Sequence, residues 1–90
     1  MAEARDDDEI FIYMGGEQEV PRHVRRARIH KSVKIIPRRA FYDRRNLIYV
    51  EFHDGIEIIG VFAFAGCRSL KCVELLGVKI IKESAFYGWP

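Results

Sequence analysis

One set of apolar columns occurs three times in this chain, and that repetition limits the possible folds more than any other feature. Val24, Leu47 and Leu70 open the three units. Ala27, Val50 and Val73 follow three residues on, then Ile29, Phe52 and Leu75. Val33, Ile56 and Val78 come next, followed by Ile36, Ile59 and Ile81. The pairs Ala40-Phe41, Ala63-Phe64 and Ala85-Phe86 close the units, with spacings of 23 and 22 residues. The third unit is one residue shorter because Leu76-Gly77 stands where the others have His30-Lys31-Ser32 and His53-Asp54-Gly55. A unit this small cannot bury its apolar side alone, so the units must stack on one another.

Within each unit the pattern predicts three parts. The first is a strand with alternating apolar residues: Arg26 to His30, Tyr49 to His53 and Cys72 to Leu76. Stacking sets these side by side in a parallel sheet, about 4.8 Å apart. The second is a short extended run, at Lys34 to Ile36, Glu57 to Ile59 and Lys79 to Ile81. The third is a single helical turn, at Arg38 to Tyr42, Val61 to Ala65 and Glu83 to Tyr87, with Ser84 as a cap. Pro37 and Gly60 separate the second and third parts. In this scheme the Phe column fills the interior and the Ala column lets backbones approach.

A period of roughly 20–29 residues with an LxxVxL-type start marks a leucine-rich solenoid. The fold class expected is an α/β leucine-rich-repeat solenoid of mostly short parallel strands with single helical turns. Three segments follow from composition. Residues 1–8 form an acidic tail expected to be disordered. Residues 9–21 hold an alternating stretch, Ile10 to Met14, then Gly15-Gly16 and Pro21, which reads as a capping strand and turn. Residues 22–90 hold about three coils. A solenoid needs a cap because its end units expose apolar faces.

The stretch IIGVFAFAGCRSLKCVEL, from Ile58 to Leu75, resembles the BspA-type leucine-rich repeat. So does the entry VPRHVRRARI, from Val20 to Ile29. The resemblance covers about residues 20–89. It implies a curved solenoid that binds other proteins, without enzymatic activity. The first coil departs from the pattern at Pro37, Arg44 and Asn46, where the second has Gly60, Cys67 and Ser69. Trp89 takes the Cys67 column in the third.

Outward residues of the first strands form a grid on the expected concave face: Arg28, Glu51 and Glu74; Arg26, Tyr49 and Cys72; His30, His53 and Leu76. The candidate partner-binding residues are therefore Arg26, Arg28, His30, Tyr49, Glu51, His53, Cys72 and Glu74, with another protein as partner. The plain alternative is a solvated sheet face carrying an Arg28–Glu51 cross-strand pair. His30 and His53 sit on neighbouring strands, but two imidazoles without a third ligand make a poor metal site. No metal and no cofactor is expected.

Ile35, Ile58 and Ile80 make a further apolar column beside Ile36, Ile59 and Ile81. Adjacent residues of an extended run point opposite ways. Two outcomes follow: an uncovered stripe, or local twist that buries both columns. The second is the expectation, because monomers seldom leave such stripes open.

The net charge of +2 is unevenly spread. Residues 1–21 carry −6, residues 22–45 carry +9 and residues 46–90 carry −1. The basic block raises the alternative of binding nucleic acid or an acidic partner through the first coil. Nucleic acid is the weaker reading, because no helix-turn-helix, RRM or zinc-finger pattern accompanies the charge. Screening by Asp6 to Glu9 would explain the block without a ligand.

Catalysis is not expected. Thr is absent, and Ser32, Ser69 and Ser84 lie in no nucleophile elbow. Gly15-Gly16 lacks the Lys and the helix of a phosphate loop. Cys67 and Cys72 make no disulfide framework, and Cys67 reads as a small core residue. The acidic start has no signal-peptide core, and no apolar run reaches the roughly 20 residues that span a bilayer. The chain reads as intracellular, without membrane insertion. A third reading is structural: the third coil ends open, so the chain continues a longer array or self-associates through that coil.

Overall fold

The computed structural model describes residues 10–71, 73–75 and 77–89. The expected tail at 1–8 and the candidate residue Cys72 lie outside the described residues. Among the described residues, six short strands form two parallel sheets. The first sheet has the order β1 (Phe11–Tyr13), β2 (Arg26–Ile29), β4 (Tyr49–Glu51). The second has the order β3 (Ile35–Ile36), β5 (Ile58–Ile59), β6 (Ile80–Ile81). Pairing follows the sequence repeat: Ala27 faces Val50 across β2 and β4, and Ile36 faces Ile59 across β3 and β5. Ile59 in turn faces Ile81.

The N-terminal strand joins the same ladder. β1 runs parallel to β2 with Phe11, Ile12 and Tyr13 opposite Ala27, Arg28 and Ile29. Tyr13 is fully buried, and its ring lies 5.0 Å from that of Phe41. Gly15 and Gly16 both take left-handed backbone angles and turn the chain away. Val20 then enters the core, without a return strand.

One cluster holds the core together. Ala27, Ile29 and Val50 enter it from the first sheet, Ile36 and Ile59 from the second, and Leu47, Ile56, Phe41 and Phe64 from between. Phe41 and Phe64 stack at 4.8 Å and 7°, and Phe64 and Phe86 at 5.3 Å and 7°. Phe52 leans on Phe64 at 5.7 Å. The repeat thus places one aromatic ring above another.

The expected helical turns do not form. Each is replaced by tandem four-residue turns. Pro37–Ala40, Gly60–Ala63 and Lys82–Ala85 are closed by hydrogen bonds of 3.2 Å. Their third residues, Arg39, Phe62 and Ser84, have φ of 59°, 58° and 57°. A second turn follows in each unit, with Asp43, Gly66 and Gly88 at φ of 59°, 79° and 81°. Left-handed angles at these positions suit type II turns and exclude an α-helix. Ser84 therefore caps nothing. The residues between turn instead outward to the next unit: Arg39, Phe41 and Asp43 donate their N–H groups to Val61, Ala63 and Ala65 at 3.0, 2.7 and 2.7 Å. Interior hydrogen bonds run between units, where a helix would have kept them local. The Ala column makes this approach possible.

Two more expectations are corrected. Among the described residues, Val73 to Leu75 carry no strand, although Lys71 donates to the Ile48 carbonyl at 3.0 Å and keeps the register. The Ile35 column is open: Ile35 and Ile80 are exposed and Ile58 is half-buried. Adjacent residues of these two-residue strands point opposite ways, so Ile35 faces out where Ile36 faces in. Coverage also falls along the stack. Ile36 and Ile59 are fully buried, whereas Ile81 is 51% exposed.

Candidate protein-binding face

Alternation along β2 and β4 decides which side chains face out. Ala27, Ile29 and Val50 are buried, so Arg26, Arg28, Tyr49 and Glu51 must project from the other side. Parallel pairing then sets Arg26 beside Tyr49 and Arg28 beside Glu51. The Arg28 guanidinium Nε lies 3.2 Å from Glu51 Oε1. Both side chains are about half exposed, so this pair is worth no more than about 1 kcal/mol. Ile12 on β1 precedes Arg28 in the same column. Glu74 is exposed and borders a small hollow with Tyr49 and Glu51.

The two histidines occupy the edge of this face but are committed to backbone. His53 Nδ1 accepts the Gly55 N–H at 3.0 Å, and its Nε2 lies 2.8 Å from the Val33 carbonyl. With Nδ1 accepting, Nε2 is the nitrogen placed to donate to the Val33 carbonyl. His30 Nδ1 accepts the Ser32 N–H at 3.1 Å and lies 2.8 Å from Ser32 Oγ. The repeated column is a turn-bracing device, and His53 also ties one unit to the one before. Among the described residues, no group of three or more His, Cys, Asp or Glu is arranged to hold a metal.

Sequence reasoning missed a second column with a shared role. Arg44 Nε donates to the Val20 carbonyl. The Cys67 thiol lies 3.1 Å from the Phe41 carbonyl, and Trp89 Nε1 lies 2.7 Å from that of Leu70. Three unlike side chains each donate to a backbone carbonyl: Arg44 and Cys67 reach back to the preceding layer, and Trp89 reaches the residue that opens its own unit. Such satisfaction of part-buried carbonyls is what stacking requires. The signal was present in the register, where all three occupy one column, but their chemistry disguises it.

Cys67 is also withdrawn from chemistry. It is fully buried, and burial pushes its thiol up to about 11. The thiolate is the nucleophile, so little of it exists near neutrality. Iodoacetamide at pH 8 is expected to leave Cys67 unmodified in the folded chain and to alkylate it in denaturant. Peptide mapping by mass spectrometry separates its adduct from that of Cys72. Modification at equal rates in both states would contradict this burial.

Much of the basic block is engaged internally. Arg45 bonds Asp43 at 3.1 Å and Arg22 lies 3.7 Å from the other oxygen. The hydrogen bond from Arg45 and the positive charge of both arginines hold the Asp43 carboxyl below its ordinary value. Arg39 lies over the rings of Tyr42 and Phe62, at 5.2 and 5.6 Å. A separate open hollow is bordered by Arg25, Arg68 and Lys71.

Among the described residues, no helix is long and apolar enough to cross a membrane. No curated protein and no solved structure matches the chain. The family model described as "BspA type Leucine rich repeat region (6 copies)" matches residues 23–89. That span contains all three repeat units, from the first apolar column to the Trp89 donor, and the chain belongs to the BspA-type leucine-rich repeat family.

Proposed function

We propose that this chain is a non-catalytic protein-interaction module whose partner docks on the outer face of the β1-β2-β4 sheet. One observation carries the reading: the repeat register sets Arg26 and Arg28 beside Tyr49 and Glu51 on a rigid parallel ladder. Tyr and Arg are the residue types that most often dominate binding energy when a partner desolvates them. Stacked strands present them without loop flexibility. Family membership supports the same reading, since repeat arrays of this type bind through extended surfaces. The proposal includes a solenoid path for the three units and an intracellular setting, supported by the buried, unpaired Cys67 thiol.

Two further readings rest on specific observations. The hollow bordered by Arg25, Arg68 and Lys71 would suit an acidic partner or nucleic acid. The exposed Ile80 and Ile81 would suit self-association through the third unit. One experiment separates them. A partner isolated with the wild-type chain is expected to bind Tyr49→Ala or Glu51→Lys roughly tenfold more weakly. Circular dichroism of both variants should match wild type, and molar mass is followed by light scattering at two salt concentrations. Unfolding of either variant would count against the proposed face. A steep salt dependence with unchanged binding by the variants favours the basic hollow. A dimer favours the third unit.

A further inference from the structure

We infer that the partner is an extended peptide segment carrying a large apolar residue and, two positions away, a lysine or arginine. This rests on the face proposed above and adds what the face selects. Two hollows lie side by side on it. The larger, of about 430 Å³, has Ile12 and the half-buried Phe52 as apolar walls and Arg28 and Lys31 at its rim. The smaller, of about 70 Å³, is bordered by Tyr49, Glu51 and Glu74. Glu51 and Phe52 belong to both, so the hollows adjoin.

Charge divides across the strands. β2 presents Arg26 and Arg28, whereas β4 and the third unit present Glu51 and Glu74. Arg28 neutralises Glu51 in part, through Oε1. Among the described residues, no ion pair engages Glu74. A cation entering beside it finds two carboxylates and the ring of Tyr49, a combination that favours an ammonium or guanidinium group. An apolar side chain fits the larger hollow, where Ile12 would otherwise face water. Strands stand about 4.8 Å apart, so adjoining hollows one to two strands apart match residues i and i+2 of an extended peptide, roughly 7 Å. Such a peptide crosses the strands. An acidic residue at its other end would lie near Arg28 and Lys31.

The test is selection of a random peptide library on the immobilised full chain. Enriched peptides are expected to share a large apolar residue two positions from Lys or Arg. A synthetic copy of the most enriched peptide should lose about tenfold in affinity for Glu74→Lys, and a similar amount for Tyr49→Ala. Glu74 is exposed, so its variant should fold as wild type does by circular dichroism. Unfolding of Tyr49→Ala counts against the face itself, and the Glu74→Lys comparison still decides the specificity. Enriched peptides that lack a basic residue, yet fail on Tyr49→Ala, overturn this specificity and leave the face in place. Peptides that bind both variants as well as wild type, or no enrichment at all, overturn both.

Discussion

Replacing Phe64 by alanine is expected to remove about 3–5 kcal/mol of folding stability, a large share of what a domain of this length has. The ring is fully buried and central in the aromatic column, with Phe41 at 4.8 Å on one side and Phe86 at 5.3 Å on the other. Phe52, just past the end of β4, lies 5.7 Å from it. Truncating a buried Phe costs about 3–5 kcal/mol, because the transfer energy is lost and a cavity remains. A domain of this length has about 5–13 kcal/mol of total stability. Collapse around the hole is restricted, since Ala63 and Ala65 on either side are held by hydrogen bonds to the neighbouring layer. Phe86→Ala should cost less, as that ring is only half-buried. Urea titrations followed by circular dichroism would read both. Equal midpoints for the two variants would show that the aromatic column is not the centre of the core.

Much of this arrangement was legible because stacking and sequence share one period. Val24, Leu47 and Leu70 must be inside together, and so must Phe41 and Phe64. The strand positions followed from alternation, and β3, β5 and β6 fall within the predicted runs. The Ala-Phe segments were misread for a physical reason. Arg38 to Tyr42 contains good helix formers, and propensity is a local quantity. What wins is the layer above, whose carbonyls at Val61, Ala63 and Ala65 claim the N–H groups a helix would use itself. Phe62 at φ 58° gives no compositional warning, because left-handed angles are ordinarily paid for by Gly or Asn. In the second turn the signal was there: Gly66 and Gly88 mark the column that Asp43 also fills.

The candidate face was legible to a smaller degree. Register alone paired Arg26 with Tyr49 and Arg28 with Glu51, and the structure places them so. The histidine column was not legible, because nothing in His-x-Ser or His-x-Gly announces that the ring will accept the N–H two residues on. The open Ile35 column follows from adjacent residues pointing opposite ways in strands only two residues long, a length that sequence patterning does not fix. The ladder between β1 and β2 shows the same limit. It advances by 16 residues where the repeats advance by 23, so no periodicity could have announced it.

Gly60→Ala is expected to be as damaging as a core truncation, though no side chain is lost. A Cβ built at Gly60 would stand 2.7 Å from the Arg38 nitrogen, 2.7 Å from the Pro37 carbonyl carbon and 2.8 Å from the Ile36 oxygen. All three are backbone atoms, so no rotamer change relieves the clash. Moving the backbone would break the Gly60 N–H bond to Ile36, 2.8 Å long, which joins the second sheet to the turns. Its neighbours in the column show why glycine is needed only here. Pro37 has no N–H to donate, and among the described residues no earlier layer offers it an acceptor; this is where proline is tolerated at a sheet edge. Lys82 makes the equivalent bond, to Ile59 at 2.8 Å, over the plain backbone of Gly60. Gly60 alone must close onto a proline. We expect a loss of about 2–4 kcal/mol, at the upper end for overpacking. Gly16→Ala is the control, because space is open there and only the left-handed φ of 63° is strained, at about 1 kcal/mol. If the two variants unfold at the same urea concentration, close packing at Pro37 is not what selects glycine. A much lower midpoint for Gly60→Ala would show that contact between layers sets the residue.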